Sequence, residues 1–407
     1  MKSKTLFYLI LIIFLSSLTS AVHAQTFSVI HSFTGDADGQ FPYAGVTIRG
    51  NALYGTTSGG NNECGSVYQL IHSGANWSFS TLAALSTDDC KPWARVVFGP
   101  DGHLYGTTRG GVSNSGTVFK LTPPVSVCKS AACYWALTDL YVFASGTDGQ
   151  SPEYGDLVWD QKGNIYGTTY FGGTSNLGTV YELTPSGKGY TESFLYSFSG
   201  PDGAYPAGGL VFDTKGDLFG TTFGFDGHMN RNTVFQLTYV PGVGWTGQAL
   251  YRFSNGNDGF MPLGGLIFDS AGNLYGTTTN GGSGGGGTVF ELSPSGDTWT
   301  YSVLYSFSGP NFCGPQASLS MDAAGNLYGT TYGDGASGYG NVFELSNTQN
   351  GWVYKSLHDF TGGTDGGTPI SNVTIDTDGT FYGTTSLGGD MNCNSGQGCG
   401  VVWMIKP

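Results

Sequence analysis

Apolar positions in this chain come in short bursts rather than at helical spacing. The stretch 266–307 shows the pattern most cleanly. Leu266-Ile267-Phe268 is a continuous apolar run closed by Asp269, as expected for a strand covered on both faces. Asp269-Ser270-Ala271-Gly272-Asn273 then reads as a turn, because Asp caps through its side chain and Gly accepts positive φ. Leu274 to Thr278 predicts a second strand, favoured by β-branched threonines. A glycine-rich connection leads to a third strand, Thr288 to Leu292. Ser293-Pro294-Ser295-Gly296 turns again, and Trp299 to Phe307 supplies a fourth.

The unit recurs. Its Tyr/Phe-Gly-Thr-Thr element starts at Tyr54, Tyr105, Tyr166, Phe219, Tyr275, Tyr328 and Tyr382, at intervals of about 51 to 61 residues. Four antiparallel strands at this period predict the blade of an all-β, seven-bladed β-propeller. A right-handed parallel β-helix, the rival architecture, has shorter coils without such hairpins. The ends of the chain agree with a propeller. Phe27 to Phe33 reads as a fourth strand with no first three before it, and Val401 to Ile405 as a third with no fourth after it. The N-terminal strand is therefore expected to complete the last blade, leaving no open sheet edge.

Composition narrows the class. Glycine is abundant (69), charged residues make up only 11% and aromatics 14%, which suits short strands and tight turns. The net charge of −14 argues against binding to phosphate backbones, and no nucleic-acid partner is expected. Met1-Lys2-Ser3-Lys4, an apolar run from Leu6 to Leu15 and Val22-His23-Ala24 predict a signal peptide over 1–24. The mature chain, 25–407, is then a single exported domain, periplasmic or extracellular, with no transmembrane segment after cleavage and expected to be monomeric.

Seven cysteines in an exported chain predict disulfides rather than a metal site. Cys128 with Cys133, and Cys393 with Cys399, are spaced to close locally. Repeat alignment pairs Cys64 with Cys90, and leaves Cys313 odd, either a buried free thiol or a reactive or intermolecular one.

These residues also carry a resemblance. The repeated Tyr-Gly-Thr-Thr and Gly-Thr-Val-Phe-Glu-Leu segments resemble the GloVer-type tandem repeat of exported bacterial proteins, over nearly all of the mature chain. Asp-x-x-Gly-Asn-Leu-Tyr is also similar to the hairpin of sensor-linked regulatory propellers. The resemblance implies export and a repeat architecture, and it brings no catalytic residues. Members often carry a C-terminal sorting segment; this chain closes at Lys406-Pro407, so surface anchoring is not expected.

Chemistry is sought where the repeat breaks. Asp-Gly-x-x-Pro loops between blades, such as Asp38 to Pro42 and Asp258 to Pro262, offer too few carboxylates for calcium and read as turn caps. Threonines repeated sevenfold read as packing. The fourth unit replaces its glycine-rich loop with a stretch holding Phe225, Asp226, His228 and Arg231. Asp226 and His228 are the acid–base pair if the protein is an enzyme, with Arg231 for an anionic group; the plainer alternative is a drifted loop bonded to itself.

Counting from each loop proline, the channel entry holds Gly45, Arg95, Gly155, Gly209, Gly265, Ser318 and Asn372, with Asp156 directly after Gly155. Arg95 and Asp156 are either a mutual ion pair or a contact for an anion or sugar acid. Trp93, Tyr154, Tyr170, Phe171 and Phe225 are candidates for stacking on sugar rings. No zinc, phosphate-binding, cofactor or Ser-His-Asp pattern is present, so no cofactor or metal is expected. The leading expectation is a non-enzymatic propeller binding a glycan or protein on its loop-rich face. A polysaccharide hydrolase or lyase and an adhesive surface protein are the alternatives.

Overall fold

The computed structural model describes residues 25–60, 63–111, 115–125, 134–187, 189–224 and 231–407. The 1–24 segment and the Cys128–Cys133 pair lie outside the described residues. The described strands form seven four-stranded antiparallel sheets in consecutive order, the blades of a β-propeller. In the seventh blade Thr26–Ser32 pairs antiparallel with Val401–Lys406, with Phe27 opposite Ile405. The first and last segments of the chain thus close the ring.

Each first strand, nearest the axis, is only two or three residues long: Thr47–Arg49, Val97–Phe98, Val158–Trp159, Val211–Phe212, Ile267–Phe268, Ser320–Met321 and Thr374–Ile375. The second strand carries the repeated motif and is wholly buried, as in Leu274–Thr278. Its glycine is required by a close approach. In the fifth blade Gly276 stands opposite Phe290, and a Cβ there would lie 2.5 Å from the ring's Cζ. The same fit recurs at Gly167 under Tyr181 and Gly383 under Trp403. Small and large residues on neighbouring strands therefore interlock, which is why the two segments always occur together.

The two threonines divide the remaining work. The first bolts one blade to the next: Thr277 Oγ1 donates to the Ala317 carbonyl at 3.1 Å, Thr330 to Ser371 at 2.7 Å, and Thr384 to Ala44 at 2.9 Å across the ring closure. The second ties the second strand to the third. Thr288 N–H donates to Thr278 Oγ1 at 3.0 Å, and the two hydroxyls share a further bond at 2.9 Å. Apolar clusters fill the spaces between blades, for example Phe219, Val234, Phe253, Leu266, Leu274, Phe290 and Leu292 between the fourth and fifth.

The loops entering each first strand lie on the same face as the loops joining second and third strands. Backbone bridges Gln40 to Gly59, Gln150 to Phe171 and Phe260 to Asn280 connect the two loop types. The Cys64–Cys90 disulfide does so covalently, and Cys393–Cys399 closes its own loop. The Asp-Gly-x-x-Pro carboxylates are used inside their loops: Asp258 accepts from Ser254 N–H at 2.7 Å, from Ser254 Oγ at 2.6 Å and from Tyr251 Oη at 3.0 Å. Asp38 makes the equivalent bonds to Thr34. Cys313 is free and half-buried rather than fully buried, and burial pushes its thiol up, with the charge of Asp334 adding to the effect.

Candidate functional site

The site is assembled from residues on either side of the repeated loop prolines. Pro42 and Pro92 are followed directly by Tyr43 and Trp93. The third blade has one more residue between Pro152 and its first strand, and that residue is Glu153. The insertion corrects the count made from the prolines. Arg95 and Asp156 each stand two residues before a first strand, whose leading residues Val97 and Val158 face the motif tyrosines Tyr105 and Tyr166. Asp156, not Gly155, therefore occupies the third place in the ring at the channel entry, and Tyr154 takes the place that Trp93 holds in the second blade.

The other ring places are filled by small residues, so adjacent inner strands come into direct contact. A Cβ on Gly265 would lie 2.8 Å from the Gly209 carbonyl oxygen, and one on Gly45 would lie 2.2 Å from Asn372 Oδ1. Ser318 Oγ accepts from Gly265 N–H at 2.8 Å. Within this ring Arg95 and Asp156 form an ion pair, with Nη2 at 2.6 Å and Nε at 3.1 Å from the same Oδ2. Their side chains are 24% and 30% exposed. They border an axial cavity of about 550 Å³.

Beside this cavity lies a second, of about 470 Å³, walled by Trp93, Tyr154, Tyr170, Phe171, Tyr205 and Phe223. Trp93 and Tyr154 sit with ring centroids 5.2 Å apart. Tyr170 stacks on Tyr205 at 5.2 Å with planes 22° apart, and Phe171 meets Tyr205 edge-on at 5.6 Å. Tyr43 extends the row, edge-on to Trp93 at 5.6 Å. Tyr205 holds φ at +58°, in the left-handed region. Five other loops put a non-glycine residue there just before the proline, including Phe41, Lys91 and Thr368, so this strain belongs to the scaffold and not to the site alone.

One buried charge pair supports the cup. Arg109 Nε donates to Glu153 Oε1 at 2.8 Å, with Glu153 only 5% exposed. The Arg109 guanidinium also lies 4.3 Å from the centroid of the Trp93 ring, a cation–π contact that holds the indole in place. Burial pushes the Glu153 carboxyl above its ordinary range while Arg109 pulls against the shift. Burial, followed by the charge of Glu153, pushes the Tyr154 phenol up, so it stays a neutral hydroxyl at physiological pH. The cup is therefore an aromatic surface with a compensated charge pair and a neutral Tyr154 phenol, and it can stack on a flat apolar face while hydrogen-bonding at its rim.

Trp93, Tyr154, Tyr170 and Phe171, singled out in the sequence, all line the cup. Arg95 and Asp156 line the axial cavity, which shares Trp93, Tyr154, Leu263 and Gln316 with the cup. Arg231 is not among the residues lining either cavity and lies against the Gly200 loop. Phe225, Asp226 and His228 fall outside the described residues. The sequence pattern did not assign Arg109, Glu153, Tyr205 or Phe223 to the site, although Phe223 opens the altered loop of the fourth unit. The signal was available for two of them: the residue after each Gly-Thr-Thr is Ser58, Arg109, Tyr170, Phe223, Thr279, Tyr332 or Ser386, a register that varies from blade to blade. Glu153 was visible only as a length difference.

Solved structures similar to this one share the fold at low identity. The periplasmic gluconolactonase PpgL of Pseudomonas aeruginosa is 15% identical with a TM-score of 0.52, covering 80% of this chain and 85% of that one. A protein from Lactobacillus plantarum is 14% identical with a TM-score of 0.53, covering 82% and 88%. PorZ, a bacterial surface component of the type-IX secretion system of Porphyromonas gingivalis, is 14% identical with a TM-score of 0.51, covering 92% of this chain and 47% of that one. No curated protein matches the sequence. The model of the Gloeobacter/Verrucomicrobia repeat matches residues 16–134, 127–246 and 223–407. With its repeats matched in tandem along nearly the whole chain, this propeller belongs to the Gloeobacter/Verrucomicrobia repeat family.

Proposed function

We propose that this protein is an exported, non-enzymatic propeller that binds a glycan on its loop-rich face, in the aromatic cup beside the channel mouth. The observation that carries this reading is the cup itself. Six aromatic side chains from the second, third and fourth blades converge on one cavity, whereas the positions after the loop prolines of the fifth to seventh blades hold Leu263, Gln316 and Ile370. Its size falls in the range of small-ligand sites. Sugar rings present C–H faces to aromatic planes and hydroxyls to rim donors and acceptors, and the cup offers both surfaces.

Export is supported by the basic and apolar start of the sequence and by the disulfides Cys64–Cys90 and Cys393–Cys399. Among the described residues no helix is long and apolar enough to cross a membrane. The ion pairs Arg95–Asp156 and Arg109–Glu153 engage the carboxylates nearest the cup.

A glycan array run with reducing-sugar and unsaturated-uronate assays tests the proposal. The expected result is retention of at least one glycan class without product formation. Turnover abolished by Glu153→Gln would replace binding with catalysis, and a blank array with a protein recovered by pull-down would make the face a protein-interaction surface.

A further inference from the structure

The two charge pairs at the mouth are not ordinary surface salt bridges. Arg109 is committed to Glu153 through Nε and to the Trp93 ring through its guanidinium face. Recruiting it for an anionic ligand would leave the 5%-exposed Glu153 carboxylate uncompensated, which is costly in a buried setting. Arg95 is likewise committed, with two of its nitrogens on one oxygen of Asp156. The chain carries a formal net charge of −14, which opposes the approach of a polyanion. A uronate or sulfate therefore gains little here and disrupts much.

The same geometry leaves something for an uncharged ligand. Because Arg95 uses Nε and Nη2 on Asp156 Oδ2, its Nη1 and the Asp156 Oδ1 have no other hydrogen bond among the described residues, and both side chains are part-exposed to the axial cavity. They place a fixed donor beside a fixed acceptor. Two adjacent sugar hydroxyls match that arrangement, one accepting from the guanidinium and the other donating to the carboxylate.

Size adds the last constraint. The cup of about 470 Å³ and the axial cavity of about 550 Å³ meet at Trp93, Tyr154, Leu263 and Gln316. A single sugar ring is smaller than either cavity, whereas a short chain can occupy both.

From these observations, and resting on the carbohydrate reading above, we propose that the site is selective for uncharged oligosaccharides. One residue stacks in the aromatic cup, and the next places vicinal hydroxyls on the Arg95–Asp156 pair at the axis.

Isothermal titration of the full-length protein tests this, using neutral gluco-, manno-, galacto- and xylo-hexasaccharides, their mono- and disaccharides, hexagalacturonate and a sulfated hexasaccharide, at 50 and 500 mM NaCl. At least one neutral series should bind, with the disaccharide at least tenfold tighter than the monosaccharide. Affinity should change less than twofold with salt, and both anionic hexasaccharides should bind at least tenfold more weakly. Arg95→Met combined with Asp156→Leu should cancel the gain from mono- to disaccharide. Should that double variant fail to fold, charge selectivity and salt dependence on the unaltered protein still decide the matter. Anionic chains bound as tightly as neutral ones, or binding that collapses at high salt, would overturn neutral selectivity while leaving carbohydrate binding in place. Failure of every glycan would overturn both.

Discussion

The two halves of the channel mouth are built on one scaffold and differ in nearly everything the scaffold presents. Around the second to fourth blades the loops carry Trp93, Tyr154, Tyr170, Phe171, Tyr205 and Phe223. Around the fifth to seventh, the matching positions after the loop prolines hold Leu263, Gln316 and Ile370. Ionisation follows the same division. Burial raises the carboxyls of Asp89, Asp139, Glu153 and Glu192, which all belong to the second and third blades or the loops entering them. In the fifth and sixth blades, Asp258, Asp269 and Asp322 are also opposed by burial, yet hydrogen bonds from their own turns outweigh it and hold them low. Asp101, in the second blade, is the exception, held low against burial by His103 and Lys120. Raised carboxyls and crowded aromatics thus gather on one side of the ring, while on the other the turn carboxylates are held by hydrogen bonds within their own loops. The contrast is what the proposed site rests on, since a uniform scaffold gives no reason for asymmetry.

The largest expected effects come from what the halves share. A Cβ on Gly167 would lie 2.3 Å from Tyr181 Oη, and one on Gly329 would lie 2.6 Å from Phe343 Cζ. Gly167→Val and Gly329→Val should each destabilise the fold by about 3 kcal/mol, equally on the two sides, as read by urea unfolding. Unequal losses would mean that the halves differ in their cores and not only in their loops.

Next in size is the pair beneath the cup. Arg109→Ala removes the partner of a buried carboxylate, and with Arg109 itself 40% exposed the cost should be about 1–3 kcal/mol. Adding Glu153→Gln should restore part of it, a coupling that a double-mutant cycle measures directly.

Binding gives the sharpest contrast. Trp93→Ala should weaken glycan affinity about 30-fold or more, as expected of a central aromatic anchor. Ile370→Ala, on the opposite rim, should change it by less than about threefold. Comparable losses from the two substitutions would erase the distinction between the halves.

The smallest effect is on pH dependence. Burial, then Asp89, lifts Asp139 from 3.8 to about 6, and burial, then Asp148, lifts Glu192 from 4.5 to about 7. A carboxyl raised by folding contributes stability that is complete below its unfolded value and disappears as pH rises through the folded one. Melting temperature should therefore decline between about pH 4 and pH 7. Asp139→Asn together with Glu192→Gln should flatten that slope, and an unchanged slope would remove these groups from the account.

Much of the molecule was legible in the residues themselves. Tyr-Gly-Thr-Thr and Gly-Thr-Val-Phe-Glu-Leu specify the second and third strands because Gly276 and Phe290 are locally complementary. Seven copies then specify the ring, and the unmatched strands at the two ends specify its closure. Short-range pattern suffices there, since each blade repeats the same contacts at the same spacing. The Cys64–Cys90 pairing followed from the same register.

The site was only partly legible. Trp93, Tyr154, Tyr170 and Phe171 could be named individually, but nothing in the sequence states that they share one cavity with Tyr205 and Phe223, some 30 to 130 residues away along the chain. The single-residue insertion at Glu153 shows the physical reason. It moves Asp156 into the ring beside Arg95, where 2.6 Å separates the charges, and it drops a carboxylate beneath Trp93, where Arg109 of the neighbouring blade meets it. Blade identity is local and can be read from spacing. The meeting of loops from different blades depends on the angle at which the ring closes, and only the tertiary structure decides that.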